Sequence, residues 1–84
     1  MKVLIVEDET IMAREMSAFL ERAFFICDIA NSAAQARQFM EEGQYDFILL
    51  DLGLPDNNGL QVLSETKKMC PNASYIILTA RGDL

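Results

Sequence analysis

Apolar residues in this chain are arranged in two different ways, and the two alternate. Continuous aliphatic runs occur within Lys2 to Val6, Asp46 to Leu50 and Ser74 to Thr79, as Val3-Leu4-Ile5-Val6, Phe47-Ile48-Leu49-Leu50 and Tyr75-Ile76-Ile77-Leu78. Such runs mark strands covered by helices on both faces. Phe25 to Ala30 reads as a further strand, and the charge of Asp28 within it suits a sheet edge. Between the runs the spacing changes to helical. Met12, Met16, Phe19, Leu20 and Ala23 form one stripe, with Arg14, Glu15, Ser17 and Glu21 mostly opposite, so Met12, Met16 and Phe19 are expected in the core. Ser32 is a natural N-cap for a second helix with Ala33, Ala36, Phe39 and Met40 on its inner face and Gly43 as its stop. Leu60, Leu63, Thr66 and Lys67 repeat at helical spacing in a third, which Pro71 ends and in which Lys67 and Lys68 are solvated.

The resulting βαβαβαβ order predicts an α/β fold: a doubly wound, flavodoxin-like parallel sheet of order 2-1-3-4, with right-handed crossovers placing helices on both faces. Eighty-four residues, 51% of them hydrophobic, build one domain spanning residues 1–84 and leave no room for two. In that order Tyr75 to Leu78 would be an unpaired apolar edge. A fifth strand and a last helix lacking from residues 1–84 are the simplest account, and an edge left open should recruit a second copy by strand pairing.

Charge and cysteine content narrow the function. Thirteen Asp and Glu against seven Lys and Arg give a net charge of −6, which argues against direct nucleic-acid binding or an anionic membrane surface. No apolar run approaches the ~20 residues that span a bilayer and no signal-like start is visible, so the expected location is the cytoplasm. Cys27 and Cys70 stand far apart, with no Cys-x-x-Cys pair and no histidine, which excludes a zinc site of the usual kind. The strand order places the two thiols on opposite sides of the sheet, and no disulfide is expected.

Chemistry concentrates where strands end. The third strand delivers Asp51 into the turn Leu52-Gly53-Leu54-Pro55-Asp56-Asn57-Asn58-Gly59, the first delivers Glu7-Asp8-Glu9, and the fourth delivers Thr79-Ala80. Asp8, Glu9 and Thr10 could serve only to cap the first helix, and Thr79 could be an ordinary β-branched strand end. Asp51 resists such a reading. At ~4 Å and an effective dielectric of ~20, each like-charge pair repels by about 4 kcal/mol, so stability alone would not select three clustered acids.

Glu7-Asp8 after the first strand, Asp51 with Pro55 and Gly59 four and eight residues beyond it, and Thr79-Ala80 after the fourth strand resemble the receiver domain of bacterial two-component response regulators. The resemblance covers essentially the whole chain. The wording Leu50-Asp51-Leu52-Gly53-Leu54-Pro55-Asp56 and Ile77-Leu78-Thr79-Ala80-Arg81 is similar to the winged-helix (OmpR/PhoB-type) transcription-factor branch. It implies that Asp51 accepts a phosphoryl group from a sensor histidine kinase. It also implies Mg²⁺ held by Asp8, Asp51 and the Gly53 carbonyl, with Glu7 acting through water; family members more often carry Asp at the position of Glu7. Thr79 and Ala80 would form the switch, the first bonding a phosphoryl oxygen and the second leaving space for it. A DNA-binding effector domain would read the switch. The family's lysine, aromatic switch residue and last helix cannot be placed within residues 1–84.

Two other classes fit less well. A phosphatase with an aspartyl nucleophile would show a second Asp two residues after the first, where Gly53 stands. A flavin- or nucleotide-binding domain needs a Gly- or Ser/Thr-rich loop after the first strand, where Glu7-Asp8-Glu9 would repel phosphate.

Overall fold

The computed structural model describes residues 1–51 and 59–78. Its elements follow the expected alternation: β1 (Lys2–Val6), α1 (Thr10–Arg22), β2 (Ile26–Ala30), α2 (Ala33–Glu42), β3 (Phe47–Asp51), α3 (Gly59–Met69) and β4 (Ser74–Leu78). All strand pairs are parallel, in the order β2-β1-β3-β4. The registers align Val6 with Ala30 and Leu50, and Asp51 with Leu78, so the strands end on a common rim.

The sheet separates two apolar clusters. Alternate residues of the central strands, Leu4, Val6, Ile48 and Leu50, meet Ala33, Ala36 and Met40 of α2 and Val62 of α3. Val3, Ile5 and Leu49 point the other way, to Ala13, Met16 and Leu20 of α1 and to Phe25, Cys27 and Phe47. Phe25 and Phe47 meet edge to face, with centroids 6.1 Å apart and planes at 81°. Cys27 belongs to one cluster and Cys70 to the other, and both are free thiols, as expected.

Helix α1 departs from the expected stripe. Met12 and Phe19 are 44% and 65% exposed, whereas Ala13 and Ser17 are buried. The small side chains let the helix approach the sheet closely, and the face centred on Ala13, Met16, Ser17 and Leu20 is the one that turns inward. Met16 does pack as expected. α1 ends with Phe24 in the left-handed region, at φ 70°. The Phe25 N–H donates to the Leu20 carbonyl and the Phe24 N–H to the Glu21 carbonyl, the paired bonds of a Schellman closure whose left-handed position is usually glycine.

The other ends agree with the sequence reading. The Ser32 hydroxyl accepts from the Gln35 N–H and caps α2, which stops at Gly43. Lys67 and Lys68 occupy the last turn of α3 and are exposed, and the Thr66 hydroxyl, fully buried, donates to the Leu63 carbonyl. On edge strand β2, Asp28 accepts a 2.6 Å hydrogen bond from the Tyr45 hydroxyl and lies 4.0 Å from Lys2 Nζ.

Candidate functional site

Two buried carboxylates stand at the carboxyl ends of the two central strands. Glu7 follows β1 directly, its N–H donating to the Ala30 carbonyl at 3.0 Å, and Asp51 is the last residue of β3. Each is 3% exposed. Asp8, half-buried, completes the group: one oxygen from each of Glu7, Asp8 and Asp51 lies within 4.8 Å of the others. Alternation along a strand makes this placement unavoidable. Residues 3, 5 and 7 share a face of β1 and residues 49 and 51 share a face of β3, so the two acids emerge side by side once Ile5 aligns with Leu49.

Crowding shows in the electrostatics. Burial, then hydrogen bonding and charge from Asp51 and a hydrogen bond from Asp8, push the Glu7 carboxyl up to about 7, against the stabilising N–H of Glu9. That N–H donates to Glu7 Oε2 at 3.1 Å. At the start of α1, Glu9 occupies the N-cap without a side-chain cap bond and the first turn holds no acidic residue. The donor set consists of carboxylate oxygens, the preference of a hard divalent cation such as Mg²⁺, and a doubly charged ion would relieve the repulsion that raises Glu7.

The structure therefore brings Glu7, Asp8 and Asp51 together. Gly53, Pro55, Thr79 and Ala80 lie outside the described residues, and Gly59 is the first residue of α3. Sequence reasoning passed over Asn31, whose carboxamide Nδ2 donates to the Glu7 carbonyl at 3.2 Å. The local signal was the Asn-Ser-x-x-Gln run at residues 31–35, in which Ser32 caps the helix and Gln35 Oε1 accepts from the Asn31 N–H at 2.7 Å.

A parallel 2-1-3-4 sheet that gathers carboxylates beyond its first and third strands is a flavodoxin-like α/β domain with an acidic rim suited to a cation. The response regulator receiver domain model matches residues 3–84, and the chain belongs to that family. The transcriptional regulatory protein BasR of Escherichia coli strain K12 is 38% identical over 84 residues, which is 100% of this chain and 38% of BasR. The chain thus spans well under half the length of that relative. A CheY-like receiver domain protein from Methanospirillum hungatei JF-1 superposes with a TM-score of 0.92 at 28% identity, over 99% of this chain and 66% of that one. The response regulator TrrA of Thermotoga maritima, solved in complex with Mg²⁺-BeF, gives a TM-score of 0.87 at 30% identity, over 96% of this chain and 70% of that one. Among the described residues no helix is long and apolar enough to cross a membrane.

Proposed function

We propose that Asp51 of this receiver domain is the phosphoacceptor of a two-component system and that Glu7, Asp8 and Asp51 gather Mg²⁺ beside it. The observation that carries this reading is the approach of three carboxylate oxygens to within 4.8 Å at the mouth of the sheet, two of the residues being buried. One Asp51 oxygen attacks phosphorus, the bond from phosphorus to the donor's histidine nitrogen breaks, and the nitrogen keeps the electron pair. Asp8 and Asp51 would hold Mg²⁺ directly, Glu7 through water and Gly53 through its carbonyl, and the ion would supply positive charge against the phosphoryl oxygens. Thr79 and Ala80 would read the phosphoryl group. The likeness to BasR supports a DNA-binding output domain in the parent protein and a sensor histidine kinase as donor, in the cytoplasm. Each phosphorylation is one stoichiometric event, so the domain is a regulator and not a turnover enzyme. Among the described residues β4 is an edge of the sheet, and pairing of that edge with a second copy is what light scattering tests.

Phosphoramidate with Mg²⁺ tests the central claim. Phosphate should appear on Asp51 by mass spectrometry, disappear in Asp51→Asn, and require the metal. Labelling at another residue, or undiminished labelling in excess chelator, sinks the assignment.

A further inference from the structure

The β1–β2 ladder stops just where the acidic residues begin. The last main-chain bond runs from the Glu7 N–H to the Ala30 carbonyl at 3.0 Å, after which the chain turns at Ser32 into α2. The Glu7 carbonyl lies beyond that point, and the Asn31 side chain reaches it with Nδ2 at 3.2 Å. A carboxamide thus continues, by one bond, a ladder that the backbone has left.

Asn31 is itself held. Its N–H donates to Gln35 Oε1 at 2.7 Å, so a side chain from the first turn of α2 anchors the residue that grips Glu7. The gripped peptide unit is the one joining Glu7 to Asp8. Fixing its carbonyl fixes the plane from which both carboxylates depart, and carboxylates must be aimed closely to serve a cation that demands near-octahedral geometry.

We infer that Asn31 is a positioning residue of the cation site, holding the Glu7–Asp8 peptide in the orientation that aims both acids at the metal. The inference rests on the proposed metal site and specifies its support. Asn31 acts through its bond to the Glu7 carbonyl. Alanine at this position removes that bond while the Glu7 N–H keeps its bond to Ala30.

Mn²⁺ titration followed by electron paramagnetic resonance tests this, with thermal unfolding measured on the same samples. Asn31→Ala should weaken Mn²⁺ binding by about tenfold, the usual effect of losing an outer-shell partner. Ser32→Ala, which removes the α2 cap, should lower the thermal midpoint while leaving Mn²⁺ affinity within about twofold, because the Asn31 bond to Glu7 does not pass through the hydroxyl. Phosphorylation of Asn31→Ala by phosphoramidate should need about tenfold more Mg²⁺ for its half-maximal rate and reach the wild-type rate at saturation. Wild-type Mn²⁺ affinity in Asn31→Ala overturns the proposal, as does an equal loss in Ser32→Ala. Asp8→Asn separates the two levels: if it too binds Mn²⁺ normally, the metal reading fails and the proposal falls with it, whereas normal binding in Asn31→Ala alone leaves the site standing.

Discussion

Among the described residues, the two faces of the sheet are packed differently. On one face α2 and α3 close over Leu4, Val6, Ile48 and Leu50, each fully buried. On the other, among the described residues, α1 lies over Val3, Ile5 and Leu49, and troughs of about 340 and 140 Å³ run past Met16, Phe19, Leu20, Leu49 and Ile76. Handedness explains the difference. The chain steps from β1 to β2 in one direction and from β2 through β3 to β4 in the other. Right-handed crossovers taken in opposite directions must lie on opposite faces, so α1 falls on one side and α2 and α3 on the other. Glu7 and Asp51 belong by alternation to the α1 face, so the acidic cluster crowns that side of the sheet.

Truncating one leucine on each face measures the asymmetry. Leu50→Ala should cost about 3–4 kcal/mol, because the closed face cannot collapse onto the space vacated, whereas Leu20→Ala should cost about 1–2 kcal/mol. Equal losses in urea unfolding would show that the α1 face is as tightly sealed as the other.

The next effect comes from Glu7, at the crown of the open face. Its folded pKa of about 7 lies above the ordinary 4.5, so the unfolded chain releases this proton first as pH rises. The contribution of Glu7 to metal-free stability is therefore fully present below about pH 4.5, falls as pH rises toward 7, and levels off above it. The fall should be on the order of 3 kcal/mol. Glu7→Gln should flatten the profile, and Mg²⁺ should restore stability at pH 7.5. A wild-type profile in Glu7→Gln would assign the dependence to other groups. Asp51→Asn should raise metal-free stability for a related reason, since it removes a charge held against Glu7.

On the closed face, Tyr45→Phe removes the 2.6 Å bond to Asp28 while keeping the ring in the core. The loss should be about 1–2 kcal/mol, larger than for an ordinary neutral pair because the acceptor is a carboxylate. An unchanged urea midpoint would mean that water replaces the hydroxyl at no cost. The smallest expected effect lies at the foot of α1. Phe24 is 91% exposed at φ 70°, so Phe24→Gly gives up little burial and relieves a left-handed phenyl residue, against the added freedom of glycine in the unfolded chain. A net gain of about 0.5 kcal/mol is expected. A loss would show that the exposed ring is held by a contact in solution.

Much of this molecule is written locally. The aliphatic runs ending in Glu7 and Asp51, the Ser32 cap and the Gly43 stop depend on neighbours a few residues away, and each stands where its local pattern places it. Asp51 at the end of a doubly covered strand was legible for the same reason: only a terminal position lets an acid leave an apolar run. Met12 and Phe19 were misjudged because a stripe states which residues share a side of a helix but not how the helix is rolled on its sheet. That roll follows from the close approach allowed at Ala13 and Ser17. Asn31 was hidden by distance, since its bond joins residues 24 apart in the chain and exists only because β1 and β2 end together. Composition and periodicity determined the elements and the identity of the acids. Which oxygens come within 4.8 Å, which carboxyl is driven to about 7, and which face each helix covers were decided by strand register and crossover hand, because those quantities depend on distances between segments that no local pattern encodes.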